Sequence, residues 1–247
     1  MIDERLLFGY PVEFKDVCLI YPPKNKDVVA LGYDNFWKLV SYLTVSYEDL
    51  YDVARERAIK QKTEIDLASI PTPWENLWYA INNESESVIV KNALFLFTKQ
   101  KIFFLNEKKE IIIGPIEEHR SINETNFFDF QNIIRTSIGI KKVDPPNLKM
   151  HPKIREMKAK QRERDRVKAK QNASKCSYSS ILLACCCMNM GINLENILEK
   201  TYVITSLLYK IGCKKEKYEI DVLSILHGAD SKKIKIEPWR DIDKDDY

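Results

Sequence analysis

Apolar residues recur at helical spacing through most of this chain, and the places where the spacing fails mark its boundaries. Val12 to Ile20 reads as a short extended segment closed by Tyr21-Pro22-Pro23, after which Asn25 or Asp27 caps a short helical turn. Asp34 then precedes Phe36, Trp37, Leu39, Val40 and Leu43, which predicts a helix capped by Asp34 and broken near Thr44-Val45. A second helix is expected from near Ser46, with Glu48 and Asp49 in its first turn, through Leu50, Val53 and Ala54 to about Lys60. Thr72-Pro73-Trp74-Glu75 combines a cap, a first-turn proline and a third-position acid that bonds back to the cap. Trp74, Leu77, Trp78 and Ile81 follow at i, i+3, i+4 and i+7, a stripe that serves either a core or a binding surface.

Between residues 87 and 115 the pattern changes. Val88-Ile89-Val90, Leu94 to Phe97, Ile102 to Leu105 and Ile111 to Ile113 are rich in β-branched and aromatic residues, and Asn106-Glu107-Lys108-Lys109 reads as a hairpin loop. A small antiparallel sheet is expected here, closed by Gly114-Pro115. Asn123 or Thr125 starts the next helix, with Phe127, Phe130, Ile133, Ile134 and Ile138 as its apolar face, and Asp144-Pro145-Pro146-Asn147 is a stiff break. Near the C-terminus three helices are expected: Ser180 to Met190, capped by Ser177 or Ser179 and ended by Gly191; one from Asn193-Leu194-Glu195-Asn196 to Ile211, stopped by Gly212; and Glu219 to Leu226. The implied fold class is α+β, mainly α, with helical bundle elements and one small antiparallel sheet.

Charge changes this picture at one place. From Pro152 to Gln171 there are nine Lys/Arg against three acids, a net +6 in a chain whose overall charge is +3, so the remainder is −3. Pro152 suits a first helical turn and the following residues are strong helix formers, but Ile154, Met157 and Val167 make no continuous apolar stripe. The segment reads as an exposed basic helix connecting two packed bodies. The expected organisation is an N-terminal α+β domain (1–145), the basic connecting helix (146–172), a C-terminal helical domain (173–231) and a charged tail (232–247).

Composition sets limits on chemistry. No apolar run approaches the length that spans a bilayer, and the acidic N-terminal residues do not resemble a signal peptide, so a cytoplasmic protein is expected. The six cysteines form no CxxC pair, and Cys185-Cys186-Cys187 point in three directions on a helix; reduced packing residues are expected rather than a metal site. His119, His151 and His227 have no ligand-spaced neighbours, the glycines are single, and the carboxylate pairs Glu117-Glu118, Asp241/Asp243 and Asp245-Asp246 lie in hydrophilic surroundings. These residues suggest no enzyme, no cofactor and no metal. The basic helix suits two roles, a spacer or helix that rests on an acidic protein surface, and a nucleic-acid ligand held by counterion release. Its cations go all round the helix and no aromatic is interleaved for base stacking. Contact candidates are Trp74 and Trp78 on the aromatic helix and Lys158, Arg162, Arg166 and Lys170 on the basic one.

Several local motifs occur in an order that resembles tail proteins of siphophages and prophages of Gram-positive bacteria, encoded near the tape-measure gene and described as tail assembly chaperones. They are Phe14-Lys15-Asp16-Val17, Ile20-Tyr21-Pro22-Pro23, Phe130-Gln131-Asn132-Ile133-Ile134-Arg135 and Asp144-Pro145-Pro146-Asn147. Met150-His151-Pro152-Lys153-Ile154-Arg155-Glu156-Met157 and Gly228-Ala229-Asp230-Ser231 follow. The resemblance covers most of the length and carries no catalytic residue. It implies a bacteriophage assembly factor in the host cytoplasm that keeps the tape-measure protein soluble and brings tail-tube subunits to it during virion morphogenesis. A long client of this kind requires weak contacts repeated along it, which implies self-association or many copies per client. A nucleic-acid-binding protein and a minor structural tail component are the alternatives.

Overall fold

The structure is a computed structural model that describes residues 4–145, 147, 149–172, 177–188, 191–230, 234 and 236, with only the backbone for 169–172. Among these residues there are ten α-helices and two antiparallel sheets, a mainly helical α+β fold. After a one-turn helix α1 (Glu4–Leu7), β1 (Val12–Phe14) and β2 (Cys18–Ile20) form a hairpin whose turn places Lys15 and Asp16 at φ 44° and 56°. Alternation is strict: Val12, Phe14, Cys18 and Ile20 are buried, while Glu13 and Leu19 face out. The extended segment expected from Val12 to Ile20 is therefore two strands and a turn.

The main core lies among α2 (Asn25–Leu31), α3 (Tyr33–Thr44), α5 (Pro73–Asn82), α6 (Glu84–Thr98) and α7 (Glu124–Ser137). Phe36, Val40 and Leu43 of α3, Leu77 of α5, Leu94 and Phe97 of α6, and Phe130 and Ile134 of α7 are fully buried in it. The first two caps differ from expectation. Lys24 is the N-cap of α2, with Asp27 accepting from its backbone N–H, and Gly32, at φ 79°, precedes α3, so Asp34 lies in the first turn instead. Ser46 caps α4 (Tyr47–Gln61) and Thr72 caps α5, each through a capping box closed by Asp49 and Glu75 respectively.

Residues 84–98 overturn part of the expected sheet, because Val88 to Val90 and Leu94 to Phe97 belong to one helix, α6. Asn83 caps it by accepting from the N–H groups of Ser85 and Glu86, and Glu84 and Glu86 stand in the first turn. Its buried residues Val90, Ala93, Leu94 and Phe97 recur at i, i+3, i+4 and i+7. That period and a good cap outweigh the strand preference of the individual side chains. The remaining half stands: β3 (Ile102–Leu105) and β4 (Glu110–Ile113) pair around the expected loop, and β5 (Ser121–Ile122) adds a third strand beside β4. Ile111, Ile112 and Ile113 are all fully buried, as befits a central strand covered on both faces.

The long basic helix α8 (Pro152–Asn172) is followed by α9 (Tyr178–Cys187), a 3₁₀ turn at Ile197–Glu199, and α10 (Tyr202–Leu226). Ser177 caps α9; Asn189 and Met190, expected in its last turn, lie outside the described residues. The two helices expected on either side of Gly212 are one continuous helix capped by Thr201. Gly212 is not a stop but a close-approach site. A Cβ there would lie 2.0 Å from Met188 Sδ, so the glycine lets the end of α9 pack onto α10. These helices meet the N-terminal residues through Asn25, whose buried amide donates to the Ile197 carbonyl and to Thr205 Oγ1, both at 2.7 Å, and accepts from the Tyr178 hydroxyl at 2.7 Å. Tyr202 joins the main core. The cysteines divide: Cys18 and Cys185 are buried, but Cys187 and Cys213 are exposed, so not all are packing residues. Cys176 and the expected tail, apart from Ile234 and Ile236, lie outside the described residues.

Candidate functional site

A capping box at Ser46 and Asp49 starts α4, and the inward face of this helix meets α8. Tyr47, Tyr51, Asp52, Arg55 and Ala58 form the buried face of α4, which brings an acid and an arginine inward together. Opposite them, Arg155, Ala159, Arg162 and Arg166 of α8 stand at i, i+4, i+7 and i+11, with Glu156 and Glu163 beside them. Ala159, 1% exposed, packs with Tyr47, Tyr51 and Ile70. Most of the remaining contact is ionic.

Arg162 grips Asp52 with two bonds, Nε to Oδ2 at 2.9 Å and Nη2 to Oδ1 at 2.6 Å. Arg166 reaches Asp49 at 2.7 Å and Asp52 at 3.2 Å. In the reverse direction Arg55 donates to both Glu156 oxygens at 3.0–3.1 Å and to Glu163 at 3.0 Å. The Arg155 guanidinium lies over the Tyr51 ring, 5.7 Å from its centroid. Hydrogen bonding to Glu156 above all, and to Glu163, holds Arg55 above its ordinary pKa against the opposing effect of burial. The same bond from Arg55 holds the Glu156 carboxyl below the usual range. The bond to Asp52 likewise raises Arg162. Burial works to raise the Asp49 carboxyl, but hydrogen bonds from Ser46, together with Arg166 and Arg135, leave it lowered.

The contact candidates therefore divide. Trp74 and Trp78 are buried, 4% and 3% exposed, within the main core, which corrects their reading as a binding surface: the stripe with Leu77 and Ile81 is the apolar face of α5 and packs inward. Trp74 does contribute to the wall of a mostly apolar hollow of about 320 Å³ beside Thr72, Phe127, Phe128 and Pro145. Arg162 and Arg166 are engaged by the chain's own acids. Lys158 remains exposed beside Tyr51 and Met150, and the Lys170 side chain lies outside the described residues. The acidic surface under the basic helix is thus α4.

Two surfaces escaped the sequence reading. One is the outward face of α8, where Lys153, Met157, Lys160, Arg164 and Lys168 are all exposed at i, i+4, i+7, i+11 and i+15. That spacing was present in the sequence, but only the position of α4 separates inward cations from outward ones. The other is the second half of α10, where no residue from Cys213 to Leu226 is buried. Ile220, Leu223 and Leu226 are 56%, 53% and 74% exposed there. Among the described residues no group of three His, Cys, Asp or Glu is gathered to hold a metal ion, and no described helix is long and apolar enough to cross a membrane. Comparison with protein-family models, with curated proteins and with solved structures finds no match.

Proposed function

We propose that this chain is a non-catalytic assembly factor of a phage tail, binding the tape-measure protein and tail-tube subunits. The observation that carries the reading is the unburied second half of α10, an apolar-bearing helix with Ile220, Leu223 and Leu226 in water. Such a face suits an extended helical client. It joins the ordered motifs, from Phe14-Lys15-Asp16-Val17 to Gly228-Ala229-Asp230-Ser231, that resemble tail assembly chaperones. The nucleic-acid reading loses two of the nine cations of the basic helix, because Arg162 and Arg166 are neutralised within the chain.

The test is co-expression with the tape-measure protein of the same phage. The chain should keep that protein in the soluble fraction and co-purify with it in excess. Leu223→Glu together with Leu226→Glu, both at exposed positions, should leave the chain folded and abolish the effect. A tape measure that precipitates equally with and without the chain ends this reading. Finding the chain in purified virions at stoichiometric amounts favours the structural-component alternative.

A further inference from the structure

We propose that the outward face of α8 is a docking surface for an acidic, amphipathic helical segment of a partner protein, a proposal that rests on the protein-binding reading above. Docking sorts seven of the nine cations of α8 into two sets. Arg155, Arg162 and Arg166 face α4, while Lys153, Lys160, Arg164 and Lys168 lie on the opposite side. Within the outward set, Lys160 has the acid of its own helix, Glu156, at 3.6 Å, and the other three form no ion pair among the described residues. The row runs from Lys153 to Lys168, roughly 22 Å at the helical rise.

Spacing and composition select the partner. Lys160, Arg164 and Lys168 follow one another at about 6 Å, and Lys153 precedes them by about 10 Å, the separations of acids at i, i+4 and i+7 on a second helix. Phosphates along a nucleic-acid strand also present a regular row of negative charge. The apolar residues decide between the two. Met157, 70% exposed, sits in the row between Lys153 and Lys160, with Ile154 and Val167, 50% and 49% exposed, on the flanks of the row. A phosphate backbone gives these side chains nothing to cover, and the row holds no aromatic ring for a base. An acidic helix with leucines beside its glutamates covers them, and methionine adapts to such a surface. Because Arg162, Arg166 and Arg55 are held from the other side, the row is presented on a fixed helix rather than a floppy one, which lowers the ordering cost of binding.

The experiment uses the full chain and a fluorescein-labelled peptide of three Glu-Leu-Ala-Glu-Glu-Leu-Glu repeats, read by anisotropy at low salt. The peptide should bind. Lys153→Gln, Lys160→Gln, Arg164→Gln and Lys168→Gln combined should weaken it by about tenfold or more, with circular dichroism unchanged. Met157→Ser should weaken it by about threefold, a loss that salt does not reproduce. No binding, or equal binding by wild type and the fourfold variant, overturns the proposal. So does tighter binding of an oligothymidine of equal charge, abolished by the same variant, which assigns the row to nucleic acid. Failure here leaves the co-expression result untouched, since the α10 variants report on a different surface.

Discussion

Arg55 offers a sharp test of how α8 is held, because its side chain is 10% exposed while its partners Glu156 and Glu163 are 38% and 58% exposed. Removing either side of this cluster deletes the same bonds, yet the consequences differ. In Arg55→Met the two carboxylates turn to water and the aliphatic stem is kept, so the loss is about 1 kcal/mol. In Glu156→Gln with Glu163→Gln, the guanidinium stays buried with only neutral acceptors. Leaving a buried charge unpaired costs about 3–5 kcal/mol when complete, and about 2–3 kcal/mol here, since the glutamines still accept hydrogen bonds. Combining all three changes should return the loss to about 1 kcal/mol, a coupling larger than either exposed pair would give alone. The contact between α4 and α8 is mostly ionic, so the effect should appear as local opening. Native-state hydrogen exchange of the 152–168 segment is the appropriate measurement. If Arg55→Met accelerates that exchange as much as the double glutamine variant does, unequal burial does not govern this contact.

Lowering the pH probes the same cluster. Arg55 holds Glu156 below the ordinary carboxylate range, so its contribution is complete above about pH 4.3 and is lost as pH falls through the lowered value; protection of α8 should be flat from neutrality and fail only below about pH 4. Phe103→Pro should destabilise the second sheet by about 2–4 kcal/mol in urea titrations. Gly114 N–H donates to Lys101 O on one side and Ile113 N–H to Arg120 O on the other, so alternation makes Phe103 and Ile112 a hydrogen-bonded pair; a variant melting like wild type removes β3 from the sheet. Gly212→Ala should cost about 1 kcal/mol net, the clash with Met188 exceeding the gain in helix propensity, and should become neutral or stabilising with Met188→Ala. Of the described cysteines, Cys187 and Cys213 should react with a thiol reagent in the native state. Cys18 and Cys185, pushed up by burial to about 12 and about 11, should react only after unfolding, and early labelling of Cys18 contradicts its placement in the core.

What could be read from the sequence was whatever neighbours in the chain decide. The α5 cap, the α4 start and the hairpin around residues 106–109 rest on residues a few positions apart, and each appears where its local chemistry places it. Residues 84–98 failed for a related reason. Valine, isoleucine and phenylalanine there argued for strands, whereas the Asn83 cap and the Val90-Ala93-Leu94-Phe97 period argued for a helix. Packing against α3 and α5 favours the second. Gly212 misled because a glycine that stops a helix and one that admits a neighbouring side chain look alike until Met188 is placed. The two faces of α8 depend on Asp49, Asp52 and Arg55, more than a hundred residues earlier in sequence, and no local pattern carries that information.

The Asn25 amide has a consequence for the order in which this protein folds as it is made. Its acceptors and donor lie at a sequence separation of 172 residues for Ile197, 180 for Thr205 and 153 for Tyr178. At ribosomal rates those residues emerge roughly ten to thirty seconds after Asn25 does. During that interval the helices around Phe36, Leu77 and Phe97 can already close on one another, but the amide must stay in water, because burying it unpaired is unfavourable. Arrival of the C-terminal helices supplies all three hydrogen bonds together. A ribosome-bound chain stalled before Tyr178 should therefore have a folded aromatic core and an exposed α2, and only release of the full chain should seal that edge.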